Sequence, residues 1–181
     1  MSLLILGVVL ALLLLVLPVT TPTSMINRLM GLEACVDGMQ INKYPTVNVT
    51  AATLTLNPTT HGGIITTINA AAGCAVTPPA ATGTFNWYWL VLPTTITSNS
   101  TTIDAKAGNA SDVMAGTAII TGTTEHSFGT ASNTNLITFN GGTTGGILGT
   151  NVVLVDIALH LWLVDVLGVG SGTGATPFSN H

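Results

Sequence analysis

An all-β fold, an antiparallel β-sandwich or barrel with an apolar N-terminal arm, is what this chain predicts, and three observations predict it. Beyond Pro45, short apolar runs recur at a spacing of roughly ten residues, separated by Gly, Asn, Pro and Thr-rich turns. That region holds no convincing stretch of the three-and-four spacing that marks an amphipathic helix. Threonine, which favours strands, dilutes its apolar positions, whereas the stretch from Leu3 to Val19 is almost undiluted Leu and Val.

The 181 residues suit one domain with a tail and allow a real core. Residues 1–22 read as the apolar arm, 23–45 as a connector with a short helix, and 46–181 as a β-rich body with a Gly-rich C-terminal tail. The arm is broken by Gly7 and closed by Pro18 and Pro22. It has the look of a signal-peptide core or a short membrane helix. No Lys or Arg precedes it, which speaks against a cleaved signal. It also falls a little short of the roughly 20 apolar residues of a span and lacks flanking charges to orient one. The expectation is an arm retained on the protein and buried against neighbouring subunits, with Leu4, Leu10 and Leu14 as contacts; a membrane anchor is the alternative. In the connector, Ser24 caps a helix that places Ile26, Leu29, Met30 and Ala34 on one face, with Gly31 weakening it and Gly38 and Pro45 closing the region.

The body then reads strand by strand. Val47, Val49, Leu54 and Leu56 precede the turn signal Asn57-Pro58, and Ile64, Ile65 and Ile68 follow the Gly62-Gly63 break. Phe85, Trp87, Trp89 and Val91 alternate with Asn86, Tyr88, Leu90 and Leu92. One face of this strand is aromatic and the other turns apolar by Leu90, so it starts at a rim and runs into the interior. Ile103 marks a short run, Val113 to Thr121 the next, and Leu136 to Phe139 leads into the Gly-rich turn of residues 141–146. Val152 to Ile157 and Leu159 to Val166 are the last two strands.

Charge narrows the function. Seven acidic and three basic residues make up only 6% of the chain, against roughly 25% in an average soluble domain. Such a chain has little with which to run acid–base chemistry, cradle phosphates or hold a hard metal, and few surface charges to resist association. It reads as a building block. Arg28, Lys43 and Lys106 are too scattered, and the net charge of -4 too negative, for nucleic-acid binding, which rests on Lys and Arg against phosphates.

Candidate chemistry stays thin on closer reading. His61, His126, His160 and His181 have no metal-motif spacing, so turn, surface or satisfied hydrogen-bonding roles are expected for them. Asp104, Asp112, Asp156 and Asp165 fit turn caps and solvent-facing strand positions. No Gly-x-Ser-x-Gly elbow anchors a hydrolase triad. Gly170 to Ala175 matches a loose dinucleotide fingerprint, but the six residues after it cannot supply the helix and second strand such a site needs. Cys35 and Cys74 are too few for a disulfide scaffold and make no metal spacing; one bridge or two small buried thiols both fit, the second more simply. The sequons at Asn48, Asn99 and Asn109 are what chance gives in so Asn-, Ser- and Thr-rich a chain.

The segments Leu54 to Gly63, Ala110 to Ala118, Ile137 to Gly146 and Val153 to Ala158, followed by Trp162 and Gly170 to Phe178, together resemble the small β-rich virion proteins of tailed phages. That family includes head decoration (cement) and head-fibre proteins. The resemblance covers roughly residues 54 to 179 and departs from the pattern at Leu148, Thr150, Val153 and Leu159, where charged or polar residues are expected. It implies a non-enzymatic protein, a homotrimer or other multimer, bound to the major capsid protein outside the shell. It brings no cofactor and no catalytic residue. On this reading Trp87, Trp89 and Trp162 pack the body or a trimer seam, with ordinary core packing explaining any one of them as well. Two other classes fit parts of the chain. A pilin-like filament subunit fits the apolar segment ahead of a Thr-rich β-domain, and a carbohydrate-binding adhesin fits only the aromatic strand Phe85 to Trp89.

Overall fold

The computed structural model describes residues 45–181. The expected arm with Leu4, Leu10 and Leu14, the connector helix and Cys35 lie outside the described residues. The strands are β1 (Thr46–Val49), β2 (Thr53–Thr55), β3 (Ile65–Ile68), β4 (Ala75–Thr77), β5 (Trp87–Val91) and β6 (Thr101–Asp104). They continue as β7 (Val113–Thr121), β8 (Glu125–Gly129), β9 (Leu136–Phe139), β10 (Asn151–Ala158), β11 (Leu161–Val169) and β12 (Phe178–Ser179). Two single-turn helices, α1 (Pro58–His61) and α2 (Ala105–Gly108), complete the described residues.

The strands form two sheets, one of seven in the order β1-β3-β5-β10-β11-β7-β8 and one of five in the order β12-β9-β6-β4-β2. The all-β expectation holds; the expectation of a purely antiparallel fold does not. From β1 to β6 the chain steps from one sheet to the other at every strand. Each return to the same sheet therefore lands in the original direction, and β1, β3 and β5 pair in parallel, as do β2, β4 and β6. Hairpin pairing appears later, at β7–β8 and β10–β11. β11 also pairs with β7 in parallel.

Both sheets share one core. Period-two alternation puts Tyr88 and Leu90 of β5, Val152 and Leu154 of β10, and Trp162, Val164 and Val166 of β11 inward from the larger sheet. Leu54, Val76, Ile103, Ile137, Phe139 and Phe178 come inward from the smaller one. Burying each large side chain is worth about 1.5–3 kcal/mol. Gly116 lets β7 and β11 lie together, because a Cβ there would sit 1.8 Å from the Val164 carbonyl oxygen. Gly141, at φ 73, opens the turn to β10; a Cβ on it would lie 2.0 Å from the Ile96 carbonyl oxygen.

The turn signal Asn57-Pro58 starts α1. The Asn57 side-chain oxygen accepts from the Thr59 amide at 2.8 Å, while the buried His61 ring accepts the Asn57 amide through Nδ1 at 3.0 Å. This is the reciprocal logic of a capping box with a histidine as the returning group. Asp104 caps α2 by accepting from the Ala107 amide at 3.1 Å, as its expected turn-capping role required.

Candidate interaction surface

Each sheet has an inner face on the core and an outer face, and the two outer faces differ in kind. On the five-stranded sheet the outward positions are Thr53 and Thr55, Ala75 and Thr77, Thr102 and Asp104, Leu136 and Thr138, and Ser179. This is the hydrophobic-in, polar-out pattern of a sheet with one side in water. On the seven-stranded sheet the outward positions are mostly apolar over its centre. Strand register aligns Ala115, Leu163, Val155 and Trp87 in one row across β7, β11, β10 and β5. The next row is Thr117, Asp165, Val153, Trp89 and Ile65, and the third is Ile119, Leu167, Asn151, Val91 and Thr67.

Polar residues sit at the margins of this face. Thr46 and Asn48 of β1 flank Ile65 and Thr67 on one edge, and Glu125 and Ser127 of β8 flank Thr121 and Ile119 on the other. Near the centre Leu163 and Leu167 remain 44% and 46% exposed. An apolar, charge-poor centre with a polar rim is the anatomy of a protein–protein interface.

Of the three tryptophans expected at contacts, Trp87 and Trp89 lie half-buried on this outer face. Trp162 does not: it points inward, is fully buried, and packs against Tyr88 at a centroid distance of 5.9 Å. Its place in the alternation of β11 leaves it no surface to offer a partner, which corrects its expected contact role. Of the positions that depart from the resembled pattern, Val153 is on the outer face, and Leu148 and Leu159 are exposed. Thr150 is buried, where its hydroxyl accepts from the amides of Gly146 and Val169.

A second feature lies where β10 turns into β11. Asp156 and Asp112 are buried, not solvent-facing or turn-capping as expected. The Asp156 carboxylate accepts from the amides of Thr82, Gly83 and Thr84 at 2.9, 2.6 and 3.1 Å and from the hydroxyls of Thr82 and Thr84. Burial opposes its charge, but the bonds from the Thr84 hydroxyl and from the Gly83, Thr84 and Thr82 amides prevail and hold its carboxyl below the usual carboxylate range. Asp112 accepts from the Ala81 amide at 2.7 Å and lies 2.9 Å from His160 Nδ1. Between them the two carboxylates fix residues 81–84 against the β10–β11 turn. Phe85 and His160 sit there at φ 58 and 62, a left-handed strain that the surrounding bonds sustain. Phe85 and Leu159 project from this tip, 66% and 68% exposed.

Several other titratable groups are engaged too. His181 lies 3.1 Å from Asp104, and Lys106 donates to the His181 carbonyl at 2.6 Å. His126 meets the Thr124 hydroxyl at 2.7 Å and stacks on Phe128. Burial, and then the charge of Asp156, push the Tyr88 hydroxyl up to about 12. Burial also raises the Cys74 thiol. Four buried polar atoms, Thr66 Oγ1, Tyr88 Oη, Trp89 Nε1 and Trp162 Nε1, have no hydrogen-bond partner. Among the described residues no three His, Cys, Asp or Glu side chains gather as metal ligands, and no helix is long and apolar enough to cross a membrane. Comparison with protein-family models, with curated proteins and with solved structures found no match.

Proposed function

We propose that this chain is a non-enzymatic structural protein that works by adhesion, through the outer face of its seven-stranded sheet. The contrast between the two outer faces carries the reading: one sheet follows the rule for a solvated face, and the other, in the same chain, presents Trp, Leu and Val where that rule calls for polar residues. Joined to the sequence resemblance, this supports reading it as a decoration protein of a tailed-phage head, bound to the major capsid protein on the capsid exterior without a cofactor. The mechanism is repetition. Apolar area buried at about 25 cal/mol per Å², less the cost of association, is multiplied over every copy on a shell and opposes its expansion.

In this reading the arm of residues 1–22 adds a second attachment. Its deletion is expected to abolish capsid attachment and leave the β-body folded, and normal occupancy by the truncated chain would sink that assignment. The function itself is tested by electron microscopy of the native particle, with mass spectrometry establishing the chain and its residues 1–30. Copies on a polyhedral head are the expected result. Copies that build a filament would replace the proposal with the pilin-like alternative.

A further inference from the structure

If the outer face of the seven-stranded sheet is adhesive, as proposed above, its charges constrain what can occupy it. Its ionisable residues are both acidic. Asp165 sits near the centre between Thr117 and Val153, and Glu125 sits on the edge strand opposite Thr121. Asp165 has no hydrogen-bond or ion-pair partner among the described residues. The described cation, Lys106, is on α2, directly after β6 of the other sheet, and already donates to the His181 carbonyl.

We infer that this face takes a different protein, one that presents an apolar surface with a lysine or arginine set against Asp165; this rests on the adhesive reading. Charge complementarity selects it. A carboxylate enclosed in an apolar contact is costly unless an opposite charge meets it, and then it fixes register and partner choice. A second copy of this chain, stacked face to face about an axis near Asp165, would bring acid against acid, and like charges so placed discriminate against that pairing. Anionic lipid surfaces and nucleic acid phosphates are disfavoured by the same two carboxylates. Size sets a bound as well. Five central strands and three rows span about 24 by 20 Å at ordinary sheet spacings, roughly 480 Å², a little over half of the roughly 800 Å² that each partner gives to a standard interface.

The test uses the full chain in two arms. In the first, sedimentation of the pure protein is compared for wild type, Leu163→Lys and Asp165→Leu. Leu163→Lys is expected to leave the wild-type mass unchanged and Asp165→Leu to create self-association about ten-fold tighter or more, because the opposing carboxylate has gone. A wild-type oligomer that Leu163→Lys takes apart would make the second copy the occupant and overturn the inference, while leaving the adhesive reading intact. In the second arm, wild type, Asp165→Asn and Asp165→Lys are rebound to native particles stripped of the protein. Losses of roughly ten-fold and a hundred-fold or more are expected, with wild-type binding weakening as salt rises. Equal or tighter binding by Asp165→Lys would overturn the cation. Wild-type chain that attaches to no part of the particle would overturn the decoration reading alone, and the sedimentation arm would still decide the occupant.

Discussion

The two sheets of this protein follow the same alternating pattern, yet only the smaller one turns a mainly polar outer face. The smaller sheet turns Thr53, Thr55, Thr77, Thr102 and Thr138 outward. At the equivalent outward positions the larger sheet carries Trp87, Trp89, Val153, Val155, Leu163 and Leu167. Both inner faces are apolar, so core formation explains neither set of outer residues. The smaller sheet acts as an internal control: threonine fills most of its outward strand positions, with Ala75 and Leu136 the apolar ones, whereas apolar side chains fill most of those at the centre of the larger sheet. In the proposed reading, folding and adhesion fall on opposite sides of the same strands.

That division can be broken or sharpened by substitution. The largest effect is expected from pairing Leu163→Lys with Leu167→Lys, which puts two cations at the centre of the adhesive face. Attachment to the native particle should fall a hundred-fold or more, while the melting temperature stays within a few degrees, since surface changes rarely exceed about 0.5 kcal/mol each. Thr102→Lys with Thr138→Lys on the other sheet should leave attachment within about three-fold. Equal losses from both pairs would erase the distinction between the faces.

On the inner side, Trp162→Ala should cost about 3–5 kcal/mol by calorimetry, against roughly 1 kcal/mol for Trp87→Ala, whose main loss should be in attachment. Asp156→Ala should cost about 3 kcal/mol, because it strands the buried amides of Thr82, Gly83 and Thr84. Asp156 also gives a pH signature. Its carboxyl is lowered in the folded state, so its contribution is complete above the unfolded value near 3.9 and is lost as pH falls through the lower folded value. Denaturant titrations between pH 6 and pH 2 should show wild type losing more stability than Asp156→Asn, which starts lower and changes less. The smallest effect is expected at Tyr88→Phe. It removes a buried hydroxyl that has no partner, and should be neutral or slightly stabilising.

Much of the fold was legible in the sequence, and the rest was hidden for physical reasons. The alternation of β10 and β11, the turn residues and the poverty of charge are local signals, and the all-β class comes from them. Strand direction is not local. A period of two looks the same whether the chain returns as a hairpin or crosses to the other sheet first, so the parallel pairs of β1 to β6 were invisible. The short strands β4, β8 and β12 carry too few apolar residues to announce themselves. In β5 both faces are apolar, so the sequence marked Trp87 and Trp89 without telling which side was inside; Tyr88 and Leu90 are the buried side. Trp162 had an aromatic's promise of contact, but its neighbours in register decide that it faces the core. Asp112 and Asp156 read as surface acids because nothing near them in sequence hints at the amides of residues 81–84, some 31 and 74 positions away.

The most direct test of the central claim is a cryo-electron microscopy map of the native particle at a resolution that separates the two sheets. The outer face of the seven-stranded sheet is expected to be covered by another protein, with a basic side chain at Asp165, and the threonine face of the five-stranded sheet to be open to solvent. A map with the threonine face buried and Leu163, Leu167, Trp87 and Trp89 in solvent would contradict it.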